Sequence, residues 1–105
     1  MEQPNTDYID KLSGDNLEFR NRMIEILKRE LPEEIEVYQN LIKNKNYLLT
    51  AQSVHKLKHK ISILGLEKSY YLAEKFEDNL KNQSVLLQTD FENVLKLINE
   101  FVNNL

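Results

Sequence analysis

The sequence predicts an all-α fold: an antiparallel up-down four-helix bundle with a short additional N-terminal helix. Three observations carry this reading. Apolar residues recur at three- and four-residue spacings through four long segments, the period of a helix that buries one face. The 105 residues include only two glycines and two prolines, too little turn material for a series of strands. Short polar breaks separate the segments, and short connections between amphipathic helices make neighbours antiparallel.

Each element has its own signals. Asn5 or Thr6 can cap a short helix running to about Leu12, which Ser13-Gly14 ends. Asp15 or Asn16 starts a long helix with Leu17, Ile24, Leu27, Leu31, Ile35, Tyr38 and Ile42 on its inner face. Pro32 lies inside that stripe and is expected to kink the helix without ending it. Phe19, Met23 and Ile26 form a second apolar flank, expected to pack under the opening helix. After Asn44-Lys45-Asn46, a third helix runs from about Tyr47 to Leu64, and Gly65 marks its end. Leu66, Tyr70, Ala73, Phe76 and Leu80 carry the fourth, with Tyr70 and Tyr71 expected in the core and at its edge. Thr89 and Glu92 have the spacing of a capping box for the last helix. Its inner face is Phe91, Val94, Leu95, Ile98, Phe101 and Val102.

The length fits one domain spanning residues 1–105. The chain has no cysteine, which excludes disulfides, thiol catalysis and thiolate metal sites. Met1-Glu2-Gln3-Pro4-Asn5 is polar and unlike a signal peptide, and no apolar run reaches membrane-spanning length, so a cytoplasmic protein is expected. The net charge of −3 argues against a general nucleic-acid binder. Lys56, Lys58, His59 and Lys60 form a local basic patch, either a solvated helix face or a steering surface for an acidic partner.

The third helix carries both histidines of the chain. Val54, Leu57, Ile61 and Leu64 form its apolar stripe, and His55, Lys58, His59 and Ser62 follow i, i+3, i+4 and i+7 as a neighbouring polar stripe expected to face water. A neutral imidazole near physiological pH is a nucleophile able to accept a phosphoryl group, and an adjacent ammonium would balance the incoming charge. His55 and His59 could also present two imidazoles to one ion, but Lys56, Lys58 and Lys60 surround them and no third ligand is indicated, so no metal site is expected.

The segment Ser53–Leu66 resembles the signature of histidine-containing phosphotransfer (HPt) domains of multistep two-component signalling. That pattern reads His-x-Leu-Lys-Gly, then a Ser/Ala-rich helix with Gly ten positions after the histidine. His55, Leu57, Lys58, Ser62 and Gly65 fit it, whereas His59 stands where the family has Gly. The opening stretch from Asp7 to Asp15, followed by Phe19, is similar to the short helix and Ser-Gly turn that begin many such domains.

The resemblance implies a phosphorelay intermediate. His55 would be the phosphoacceptor, Lys58 a phosphate-stabilising cation, and His59, Ser62 and Gly65 docking or specificity residues. The partners implied are response-regulator receiver domains and a hybrid sensor kinase. The receiver would supply the aspartate and Mg²⁺, leaving this chain a monomeric phosphoryl carrier with no cofactor and no kinase activity of its own. Two other readings remain open: a non-catalytic helical adaptor, and a degenerate HPt-like domain that binds receivers without accepting phosphate.

Overall fold

The computed structural model describes residues 2–105, and these form five helices with no strand among them. They are α1 (Asp7–Ser13), α2 (Leu17–Lys43), α3 (Tyr47–Ile63), α4 (Glu67–Lys81) and α5 (Gln88–Asn103). Each of α2 to α5 packs on its sequence neighbour, and α5 closes the ring against α2. α1 lies against the long α2, outside the four-helix bundle. At about 1.5 Å per residue the 27-residue α2 runs roughly 40 Å. It therefore spans most of the 46 Å long axis.

The predicted stripes form the core. Leu27, Leu31 and Tyr38 of α2 meet Ala51, Val54, Leu57 and Ile61 of α3, Ala73, Phe76 and Leu80 of α4, and Phe91, Leu95 and Ile98 of α5. Tyr38, Phe76 and Phe91 join three helices through one aromatic cluster, with ring centroids 5.1 to 6.4 Å apart in edge and tilted contacts. The Tyr38 hydroxyl leaves this cluster to donate to Glu92 at 2.9 Å. Burial and that carboxylate together push the Tyr38 phenol well above its ordinary value. Pro32 is exposed within an unbroken α2.

The helix starts divide into those that follow local chemistry and those that do not. Asn16 accepts from the Phe19 amide at 3.0 Å and Asn46 from the Leu49 amide at 3.3 Å, both as side-chain N-caps. The Thr89–Glu92 capping box does not form. α5 begins at Gln88 instead, after Leu87 turns left-handed at φ 76°. Leu87 packs against the core and Phe91 is buried in it, and the Phe91 amide donates to the Leu87 carbonyl at 2.9 Å. Burial of that apolar pair starts the helix before Thr89, and Glu92 accepts instead from the Tyr38 hydroxyl and from the Gln88 side chain through Nε2.

Two further expectations are corrected. Leu17 is exposed, and the buried stripe of α2 begins at Ile24. The flank of Phe19, Met23 and Ile26 is only partly covered: Met23 packs on the core while Phe19 and Ile26 remain exposed.

An N-terminal arm, residues 2–6, crosses to the α3–α4 corner. Pro4 is buried there, and the Asn5 amide donates to the Leu64 carbonyl at 2.9 Å. The Glu2 carboxylate accepts from the Lys68 amide at 2.7 Å and the Ser69 amide at 2.9 Å. α4 has no side-chain cap of its own, so Glu2 supplies one from a distant part of the chain, at the end where a negative charge is favoured.

Candidate functional site

Rotation of α3 is fixed by Val54, Leu57 and Ile61, all fully buried. His55 therefore lies on the rim of the helix, beside Val54, facing α4. Rotation of α4 is fixed in the same way by Ala73, Phe76 and Leu80, which brings Glu77 to the opposing rim. The two meet. His55 Nδ1 lies 3.2 Å from Glu77 Oε2 and 3.3 Å from Oε1. The imidazole is 52% exposed, whereas the Glu77 side chain is 10% exposed. A carboxylate accepts only, so Nδ1 is the nitrogen that donates here, and in the neutral imidazole this tautomer leaves the lone pair on Nε2.

Glu77 is the hub of a charge network. Lys58 Nζ is 3.2 Å from its Oε1 and Lys81 Nζ 3.4 Å from its Oε2. Burial pushes the Glu77 carboxyl up, but hydrogen bonds and charge from Lys58 and His55 outweigh it and hold the group below the usual carboxylate range. Glu77 thus stays ionised beneath the imidazole.

Lys58 departs from the water-facing stripe expected for it. It is only 6% exposed, packed 5.4 Å from the Tyr70 ring centre, with Glu74 at 3.9 Å as a second carboxylate. Position 58 is four residues after Val54 and three before Ile61, so the packing of α3 on α4 turns it inward along the seam. The apolar stem is buried and the ammonium reaches the carboxylates. The predicted basic patch is divided likewise. Lys60 is held by Glu30 and Glu34 of α2, at 3.0 Å each, leaving Lys56 and His59 exposed.

His59 lies one turn beyond His55, and their rings meet edge to face with centroids 5.0 Å apart. Ser62 is exposed farther along α3 and shares a shallow recess with Gly65, Glu67, Tyr70 and Tyr71. Tyr70 is half-buried against the core, but Tyr71 is exposed rather than at the core edge. Gly65 has φ 80°, and a Cβ there would come within 2.6 Å of Asn5 Nδ2. The left-handed backbone and the arm beside it both require glycine. The structure therefore gathers His55 and Lys58 at Glu77, with His59 against the His55 ring, Ser62 farther along α3 and Gly65 just past its end. A separate cleft between α2 and α5, lined by Ile35, Tyr38, Gln88, Glu92 and Asn99, includes none of them.

A family model described as the Hpt domain matches residues 22–104. The chain belongs to the Hpt domain family. Hpt domains are phosphocarriers that serve histidine phosphotransfer in phosphorelays and interact with receiver domains. The match begins inside α2 and runs to the end of α5, so the N-terminal arm and α1 of this Hpt domain lie outside it. No curated protein and no solved structure matches the chain. Among the described residues, no helix is long and apolar enough to cross a membrane.

Glu77 was not singled out by the sequence reading. A signal was present: Glu77 is four residues after Ala73 and three before Leu80, a charged residue on the edge of an apolar stripe. Such a position calls for a buried partner.

Proposed function

We propose that this Hpt domain carries a phosphoryl group on His55 Nε2 between two receiver domains. The observation that supports it best is the exposed imidazole whose Nδ1 is bound by a buried, ionised carboxylate. In the forward step the Nε2 lone pair attacks the phosphorus of a receiver aspartyl phosphate. The N–P bond forms as the P–O bond to the aspartate breaks, and that electron pair returns to the receiver carboxylate. The proton stays on Nδ1, and the positive charge gained by the ring is balanced by Glu77. Transfer to the second receiver is the reverse of this step.

Lys58 has a supporting part in this scheme. From below the surface it keeps Glu77 ionised and in place, and so steadies phosphohistidine through that carboxylate. Ser62, the corner at Gly65 and the exposed ring of His59 form the docking face that distinguishes one receiver from another. The receiver supplies the Mg²⁺ and the acidic site around the aspartate, so this chain needs no cofactor and no kinase activity. A hybrid sensor kinase stands upstream, and the domain works as a cytoplasmic monomer.

The test mixes the chain with a panel of phosphorylated receivers and follows acid-labile, base-stable phosphate on it. The wild type gains label and His55→Gln, with the same fold by circular dichroism, gains none. Labelling of His55→Gln at the wild-type rate overturns the assignment of His55. A wild-type chain that binds phosphorylated receivers but never takes label is instead a receiver-binding domain without transfer.

A further inference from the structure

We infer that His59 is a second phosphoryl-contacting residue, donating a ring N–H to the phosphoryl group carried on His55 and so setting how long it is retained. This rests on the proposed role of His55. A phosphoryl group arrives with negative charge and three strong acceptor oxygens, which draw whatever donors stand nearest.

Three lysines near His55 are already committed, and Lys56, exposed and without an ion pair among the described residues, is turned about 100° round the helix from His55, on the side that faces α2. Lys58 is buried between Glu77 and Glu74, Lys81 is engaged with Glu77, and Lys60 bridges Glu30 and Glu34. His59 is different: it is exposed and has no hydrogen-bond or ion-pair partner among the described residues. Helical side chains lean toward the N-terminus, which tilts His59 back over the turn that carries His55. Their rings are 5.0 Å apart. A phosphoryl oxygen reaches beyond Nε2 by one N–P and one P–O bond, which brings it within hydrogen-bond range of the neighbouring ring.

The surroundings add a second reason. His59 borders a recess lined by Glu30, Glu33 and Glu34 of α2 and by Lys56 and Lys60 of α3. On the α4 side, Glu74 and Glu77 are matched by Lys58 and Lys81. Lys56 and Lys60 offset two of those three carboxylates. An imidazolium at position 59 would stand between those carboxylates and the phosphoryl group, attracted by both, whereas an uncharged side chain there leaves the like charges to face one another.

The experiment uses the full chain phosphorylated with phosphoramidate, a small donor that removes any effect of receiver docking. Phosphohistidine is followed by ³¹P NMR after the donor is removed. Wild type is compared with His59→Gln, which keeps a polar side chain but no cation, and with His59→Lys, which keeps a cation that does not titrate near neutrality. The expected half-life of wild type exceeds that of His59→Gln by about three- to fivefold near pH 6, the size of an exposed charge contact. That ratio falls toward about one near pH 8.5, while His59→Lys keeps its advantage over His59→Gln at both pH values. Equal half-lives for all three chains at both pH values overturn the inference and leave His55 as acceptor intact. Labelling that persists in His55→Gln, or a wild-type chain that takes no label, overturns the proposed function itself.

Discussion

Replacing Glu77 by Gln separates the two jobs that this carboxylate performs. The amide keeps the shape and one acceptor for His55 Nδ1, but removes the charge that faces Lys58 and Lys81. Breaking a fully buried ion pair costs roughly 3–5 kcal/mol. Here Lys58 retains Glu74 at 3.9 Å and the Tyr70 ring, and Lys81 is half exposed and free to solvate. The expected loss is therefore smaller, about 2 kcal/mol, or roughly 8–16 °C in Tm for a domain near this size. The loss depends on pH with a definite sign. The carboxyl is held below its ordinary value in the folded chain, so its contribution is complete above about pH 4.5 and disappears as pH falls through the folded value. Urea melts of the two proteins should thus differ near pH 7 and converge as the pH falls well below the ordinary carboxylate range. For transfer, exchanging a charge-assisted hydrogen bond to His55 for a neutral one removes about 1–1.5 kcal/mol, a five- to tenfold drop in rate. Stopped labelling with one phosphorylated receiver measures it. A lower Tm with unchanged transfer would show that Glu77 holds the α3–α4 seam and does nothing for the imidazole. Unchanged Tm and unchanged transfer would refute the whole account of the network.

Two other substitutions test separate parts of the fold. Gly65→Ala should destabilise by about 1–2 kcal/mol in thermal melts, because it puts a Cβ on a left-handed backbone. Adding Asn5→Ala to it should recover the part that comes from the close approach of Asn5. Asn46→Ala should cost about 1 kcal/mol through loss of the α3 cap, whereas Thr89→Ala should stay within about 0.5 kcal/mol in the same urea titration.

The bundle was legible in the sequence because helix rotation is decided by the positions that repeat. Val54, Leu57 and Ile61 on one helix and Ala73, Phe76 and Leu80 on another identify the faces that meet. The exposed His55 was legible for the same reason, as the neighbour of a stripe residue. Lys58 and Glu77 were not, because each flanks its own stripe, and one helix alone does not tell which flank is covered. Only the pairing of α3 with α4 shows that the two opposite charges meet. Thr89 and Glu92 fit a local rule, yet the packing of Leu87 and Phe91 fixed the start of α5 before that rule could act. The arm left no periodic trace, since its contacts join Glu2 to residues 66 and 67 positions away.

That separation bears on the order in which the molecule assembles. α3 and α4 are joined by a short corner and can pair early, while docking of the arm must first close a loop of more than sixty residues. The first turn of α4 is therefore expected to form before its cap docks. In the native state the same asymmetry predicts an opening route for the Lys68 and Ser69 amides: release of the arm should expose them to hydrogen exchange while the aromatic cluster stays closed.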